Sequence, residues 1–137
     1  MTGSGGPTPA DFDAWNERKK ATHAASPPPY FKEREVWWAA LGVNIGYEED
    51  GKGPDFSRPV LIVRKFGALF YAVPLSTTSR RGPFYHAFTY KAERGESVAL
   101  LSHMRALDSR RLLHKDGTAS KADFEAVRSA LLALLLG

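Results

Sequence analysis

Two apolar runs separated by two residues constrain this chain more than any other feature. They are Arg58-Pro-Val-Leu-Ile-Val-Arg-Lys-Phe66 and Leu69-Phe-Tyr-Ala-Val-Pro-Leu-Ser-Thr-Thr78, joined by Gly67-Ala68. Runs rich in β-branched and aromatic residues around a Gly-X pair predict a β-hairpin. Val60 and Ile62 alternate with Leu61 and Val63, so neither face of the first strand is polar. Such a strand belongs between two covering layers. Antiparallel pairing returns Ser76-Thr77-Thr78 to the neighbourhood of Arg58, and a cation beside hydroxyls at the lip of a buried sheet suits a phosphate. Spacing alone favours a plainer account, in which Arg58 pairs with an acid of the preceding loop and Ser76–Thr78 form a polar turn.

The rest of the chain supplies one domain around that hairpin. With 137 residues it has enough length for one core and too little for two. The absence of cysteine excludes a disulfide framework, thiolate metal sites and a cysteine nucleophile. The net charge of +4 is modest, but its cations cluster at Arg18-Lys19-Lys20, Arg80-Arg81 and Arg110-Arg111. Clusters of this kind steer polyanions, although a single one is more often a solvated surface. Residues 1–8 read as disordered, with neither a basic nor an apolar targeting pattern. The apolar run Leu131–Leu136 is too short to span a bilayer, which takes roughly 20 residues. The expectation is a soluble cytoplasmic protein with no membrane contact.

Taken in order, Asp11–Ala21 predicts a helix with Phe12 and Trp15 on one face, docked through its two aromatics and ended by Ser26-Pro-Pro-Pro29. Residues 9–31 thus form a helical arm and proline-rich linker ahead of a domain spanning 32–137. Glu33–Leu41 predicts a strand whose paired Trp37 and Trp38 put one indole on each face. The polar, glycine-rich stretch 42–56 predicts a lid or wall over Arg58. Strands are expected at Phe84–Lys91, with Phe84, His86, Phe88 and Tyr90 on one face, and at Ser97–Leu101 and His103–Leu107. His103 and Arg105 then share strand parity and project to one side. Ser120-Lys-Ala-Asp123 has capping-box form and opens a helix with Phe124, Val127, Leu131, Leu134 and Leu135 at helical spacing. The fold class is mainly β with flanking helices, a small β-barrel closed by short strands.

Chemistry is restricted by what is missing. His23, His86, His103 and His114 are scattered, with no metal-ligand spacing, and no phosphate-loop, dinucleotide or nucleophile-elbow motif occurs. No metal and no cofactor is expected. Cleaving RNA requires neither when the ribose 2′-OH attacks the adjacent phosphorus. That reaction needs a base for the 2′ proton, a stabiliser of phosphorane charge and a donor to the leaving 5′ oxygen. Arg58 suits the second role, and Ser76 and Thr77 can orient phosphate oxygens. Asp108-x-x-Arg111 after a strand fits an ion-paired corner, and His103 and Arg105 fit an extended phosphate-binding surface.

The succession Arg34-Glu-Val-Trp-Trp38, Gly42-Val-Asn-Ile-Gly46, Asp50-Gly-Lys-Gly53, Arg58-Pro-Val, Val73-Pro-Leu-Ser-Thr-Thr78 and Arg105-Ala-Leu-Asp108-x-x-Arg111-Leu112 resembles the MazF/PemK family of type II toxins. The resemblance implies an SH3-like barrel with a C-terminal helix, a homodimer, and a metal-independent, sequence-selective endoribonuclease acting on single-stranded RNA and neutralised by a cognate antitoxin. It places catalysis on Arg58 and Ser76, with Thr77 adjacent; the family more often has threonine at the Ser76 position, and often glutamine where His103 stands. Lys52, Arg80, Arg81, His103 and Arg105 are the expected RNA contacts. Glu48, Glu49, Asp50 and Asp55 compete as the acid. The alternative is a non-enzymatic SH3-like module that binds nucleic acid or inhibits gyrase; the gyrase-poisoning relative uses a tryptophan-bearing tail, whereas this chain ends Leu-Leu-Leu-Gly137.

Overall fold

The hairpin forms where its pattern places it in this computed structural model, which describes residues 6–24, 28–42, 44, 50–53 and 56–137. Ser57–Phe66 (β2) and Leu69–Ser76 (β3) are antiparallel, and the closing pair Phe66↔Leu69 makes Gly67-Ala68 a two-residue loop. Gly67 supplies the left-handed φ of 65°, a conformation that suits glycine in tight hairpins. The register shifts between Ile62 and Arg64, so Val63 is an extra residue that increases the local twist.

Glu35–Ala40 (β1) pairs with β2 from Val36↔Leu61 to Ala40↔Ser57. Leu112–Thr118 (β7) pairs with the other edge of β1. On the far side, β3 serves two partners in tandem. Its first half pairs with Arg105–Asp108 (β6), and Leu75 and Ser76 pair with Ser97–Leu100 (β5), which carries Tyr85–Phe88 (β4) on its outer edge. Among the described residues no pairing joins β7 to β4, so the barrel is an open one.

Burial on both faces follows from the alternation in β2. Leu61 and Val63 join Val36, Val73 and Leu75 in one cluster, beneath Val127 and Leu131 of the helix Lys121–Leu136 (α2). Val60 and Ile62 join Trp37, Phe70, Ala72 and Leu107 in the second. Ser120 caps α2 as its sequence predicts: the Asp123 amide donates to Ser120 Oγ at 3.1 Å, and that hydroxyl donates to Asp123 Oδ2 at 3.0 Å. The buried stripe of α2 is Phe124, Val127 and Leu131, whereas Leu135 is exposed.

The arm is a longer helix than its sequence pattern marks, Pro9–Ala24 (α1), opened by a second capping box. The Asp11 amide donates to Thr8 Oγ1 at 3.2 Å and the Thr8 amide donates to Asp11 Oδ2 at 2.9 Å. Its one buried side chain is Trp15. That indole packs with Ala40 and Phe56, while Phe12 is 41% exposed. The approach needs glycine at 42, where a Cβ would lie 2.0 Å from Trp15 Cε2 and φ is +82°.

Three expectations change. The strand expected over 84–91 is confined to β4, leaving Phe84 exposed. His103 lies in a 3-10 turn, Leu101–His103, and does not share a strand with Arg105. The turn is needed because β5 and β6 occupy one edge of β3 in succession and the chain has to reset between them. β7 has no counterpart in the sequence reading, since this edge strand buries only Leu112 and shows no alternation. Residues 1–5, Ser26, Pro27 and the loop acids Glu48, Glu49 and Asp55 lie outside the described residues.

Candidate active site

Arg58 enters β2 as its second residue, and Ser76 leaves β3 as its last. The strands are matched in length from the turn, so the two ends meet. Arg58 is buried, and carbonyls hold it: its Nε donates to Asp50 O at 3.0 Å and its Nη1 donates to Leu75 O at 3.1 Å. The loop reaches Arg58 because Lys52 and Ser57 exchange backbone hydrogen bonds of 2.8 and 2.9 Å. Phe56 turns that corner with a left-handed φ of 51°, a strained conformation for an aromatic residue that surrounding contacts have to impose. Those contacts are present, because Leu41 and Gly42 both donate to Phe56 O at 3.0 Å. Asp50 also accepts the Asn44 amide on Oδ1 at 2.6 Å.

Ser76 Oγ accepts the Thr78 amide at 3.1 Å. A hydroxyl used as acceptor keeps its proton for another partner. Arg58, Ser76, Thr77, Thr78 and Lys52 line one cleft of ≈ 190 Å³. Three of these are the expected catalytic residues, and Lys52 is an expected RNA contact. The cleft thus brings a buried guanidinium, three hydroxyls and an ammonium to one concave surface.

Trp38 and Arg94 also line the cleft, although their sequence context does not mark them as site residues. Arg94 ends a short 3-10 turn, Ala92–Arg94, and its guanidinium lies 5.1 Å from the centre of the Trp38 ring. Trp38 stacks in turn near His114, with ring centres 6.1 Å apart. The second indole is therefore covered by polar side chains rather than by core. Asp116 anchors Arg94: it lies 3.4 Å from Arg94 Nε and 3.1 Å from Lys91 Nζ, and accepts the Tyr90 hydroxyl at 2.6 Å. Burial pulls the Asp116 carboxyl upward, but Tyr90, Lys91 and Arg94 outweigh it and hold the group below its ordinary value. Burial and the Asp116 hydrogen bond push the Tyr90 phenol well up.

The other expected RNA contacts stand apart from the cleft lining. Arg80 and Arg81 are exposed on the connection just beyond Thr78, with Arg80 5.7 Å from the Tyr85 ring centre. His103 sits beside Ser102 Oγ at 3.4 Å, and Arg105 pairs with Ala72 in β3. The Asp108 corner is ion-paired, as its pattern predicts, but through a different arginine. Arg110 takes both carboxylate oxygens, at 2.9 and 3.0 Å, whereas Arg111 donates to Ala40 O at 3.0 Å and lies over Trp15. Among the described residues no cluster of three or more metal-ligating side chains occurs, and no helix is long and apolar enough to cross a membrane.

An open antiparallel barrel with a terminal helix and a cation–hydroxyl cleft at one end of its central hairpin defines a class of small toxins. Residues 32–135 match the family described as PemK-like, MazF-like toxin of type II toxin–antitoxin system, and the chain belongs to that family. Its structure is similar to that of MazF from Deinococcus radiodurans, with a TM-score of 0.62 and 26% identity over 80% of this chain and 98% of that one. It shares its fold with an endoribonuclease from Mycobacterial species in complex with its cognate antitoxin, with a TM-score of 0.58, 22% identity, and coverage of 79% and 98%. The Mycobacterium tuberculosis toxin MazF-mt6 is also alike in fold, with a TM-score of 0.57, 17% identity, and coverage of 74% and 96%. No curated protein sequence matches the chain.

Proposed function

We propose that this toxin is an endoribonuclease that cuts single-stranded RNA in the cytoplasm, acts as a homodimer and is held inactive by a cognate antitoxin. The observation that carries this reading is the convergence of Arg58, Ser76, Thr77 and Lys52 in one cleft of a chain belonging to the MazF-like family. The nucleophile is the substrate's own 2′-OH, so the protein has to bind, orient and stabilise charge. Arg58 is permanently protonated and its position is fixed by two carbonyls, so it meets the developing phosphorane charge without reorganising. Ser76 directs its remaining O–H toward a phosphate oxygen, and Thr77 and Lys52 hold the strand on the exposed side. The 2′ oxygen forms a bond to phosphorus as the P–O5′ bond breaks; the 2′-OH gives one proton to a base and the leaving 5′ oxygen takes one up, so the products are a 2′,3′-cyclic phosphate and a free 5′-OH.

The test is cleavage of a long RNA in the presence of EDTA, with the ends mapped. Wild-type protein is expected to leave discrete cuts ending in 2′,3′-cyclic phosphate. Arg58→Ala is expected to abolish them while keeping the wild-type circular dichroism spectrum. Cleavage retained by Arg58→Ala refutes the role of Arg58, and RNA bound but left intact by wild-type protein favours a binding module.

A further inference from the structure

Arg58 is sunk between two carbonyls and serves one phosphate, whereas a strand of RNA lying in the cleft presents several. The same cleft is lined by a second guanidinium in a different setting. Arg94 has 27% of its side chain exposed, lies over the Trp38 ring at 5.1 Å from its centre and is ion-paired at its Nε with Asp116 at 3.4 Å. Asp116 faces two cations, Lys91 and Arg94, so among the described residues one carboxylate is set against two positive charges. Of the two cations only Arg94 lines the cleft. A guanidinium stacked on an aromatic face and tethered through Nε is pre-oriented, which reduces the entropy lost when it takes an anion.

We propose that Arg94 is a second RNA-binding residue, engaging a phosphodiester next to the one held at Arg58, and that Trp38 and Asp116 are its positioning residues. The inference rests on the ribonuclease reading and assigns the cleft two phosphate subsites, one at Arg58 and one at Arg94, which line the same cavity. Arg94 touches the substrate backbone and contributes to affinity for any sequence, because phosphate contacts carry no base information.

The experiment separates a phosphate contact from a structural one by using Lys91 as control. Lys91 shares Asp116 but does not line the cleft, so Lys91→Ala and Arg94→Ala each remove one ion pair to the same carboxylate. Binding of a fluorescein-labelled 2′-O-methyl oligoribonucleotide of mixed sequence, which has no 2′-OH nucleophile, is followed by anisotropy across a salt series. Each phosphate contact on a single strand adds about 0.7 to the slope of log K against log salt. Arg94→Ala is expected to lower the slope by about that amount, Arg94→Lys to restore most of it, and Lys91→Ala to leave it unchanged. An unchanged slope in Arg94→Ala, or an equal fall in Lys91→Ala, overturns the proposal, as does absence of binding by wild-type protein. Failure of wild-type protein to cleave a natural RNA in parallel, with the slopes as expected, overturns the ribonuclease reading while leaving Arg94 as a phosphate contact.

Discussion

Replacing Trp15 with alanine is expected to release the N-terminal helix and loosen the catalytic arginine without unfolding the barrel. Trp15 is the one buried residue of α1, at 6% exposure. A buried tryptophan removes about 150–250 Å² from water, which at about 25 cal/mol per Å² stabilises docking by roughly 4–6 kcal/mol. Among the described residues the arm also accepts a hydrogen bond from Arg110 at His23 O, 3.1 Å long and exposed to solvent, which is weaker than the apolar anchor. A 16-residue helix with a polar surface is marginal in isolation, so loss of nearly the whole apolar term tips it into solvent. The consequence reaches the site through a short path. Trp15 packs against Gly42 and Phe56, Gly42 O accepts the Gly51 amide at 2.8 Å, and the loop so held presents Asp50 O to Arg58 Nε. Losing one hydrogen bond to a charged group costs about 1.5–3 kcal/mol, so the cleavage rate of Trp15→Ala is expected to fall about tenfold or more. Hydrogen exchange read by mass spectrometry, beside a cleavage time course, checks both parts. Protection is expected to drop in α1 and at Gly51 and Lys52 while β2 and β3 keep theirs. Full protection of α1 in the variant refutes Trp15 as the dominant anchor. Loss of α1 protection with unchanged cleavage refutes the coupling to Arg58.

Two further predictions concern the barrel. Side-chain and backbone hydrogen bonds from Arg110 hold the Asp108 carboxyl at about 2, below the roughly 3.9 of an unfolded aspartate. The folded value is depressed, so the contribution is complete above about pH 4 and lost as pH falls through about 2; thermal melts of Asp108→Asn and wild type are expected to differ modestly at neutral pH, the side chain being half-exposed, and to converge near pH 2. Gly117→Ala puts a Cβ 2.7 Å from Tyr90 Cδ2, and Tyr90 is tied at its hydroxyl to Asp116, so the ring has little room to retreat. Overpacking of this kind costs about 1–3 kcal/mol, measurable by denaturant unfolding; a wild-type midpoint for Gly117→Ala sinks the claim that Tyr90 is fixed.

What the sequence discloses about this site follows the range of the contacts that build it. Arg58 and Ser76 are legible together because one two-residue turn sets the register of both strands, and every pair from Phe66↔Leu69 to Val60↔Pro74 follows from it but for one bulge. Trp38 and Arg94 meet through a route with no local signal. β1 lies beside β2, β7 lies beside β1, and Asp116 on β7 then draws Arg94 across from the β4–β5 connection. No spacing in the chain encodes that meeting, so Trp38 looks like a core tryptophan and Arg94 like a surface charge. His103 fails for the opposite reason: its alternation with Arg105 is genuine in the sequence, but His103 is the last residue of a 3-10 turn and the strand begins only at Arg105. At the Asp108 corner the motif is visible and the partner is not. A bidentate pair forms with Arg110, two residues away, which leaves Arg111 for Ala40 O and the Trp15 ring. That exchange gives the arm its second point of contact, because Arg110 also donates to His23 O at 3.1 Å. The arm is thereby linked near its middle, through Trp15, to the loop that holds Arg58 and at its C-terminal end, through His23, to the corner that closes β6. Its attachment is a property of the tertiary structure, and the proline-rich stretch that follows it shows only that the helix ends.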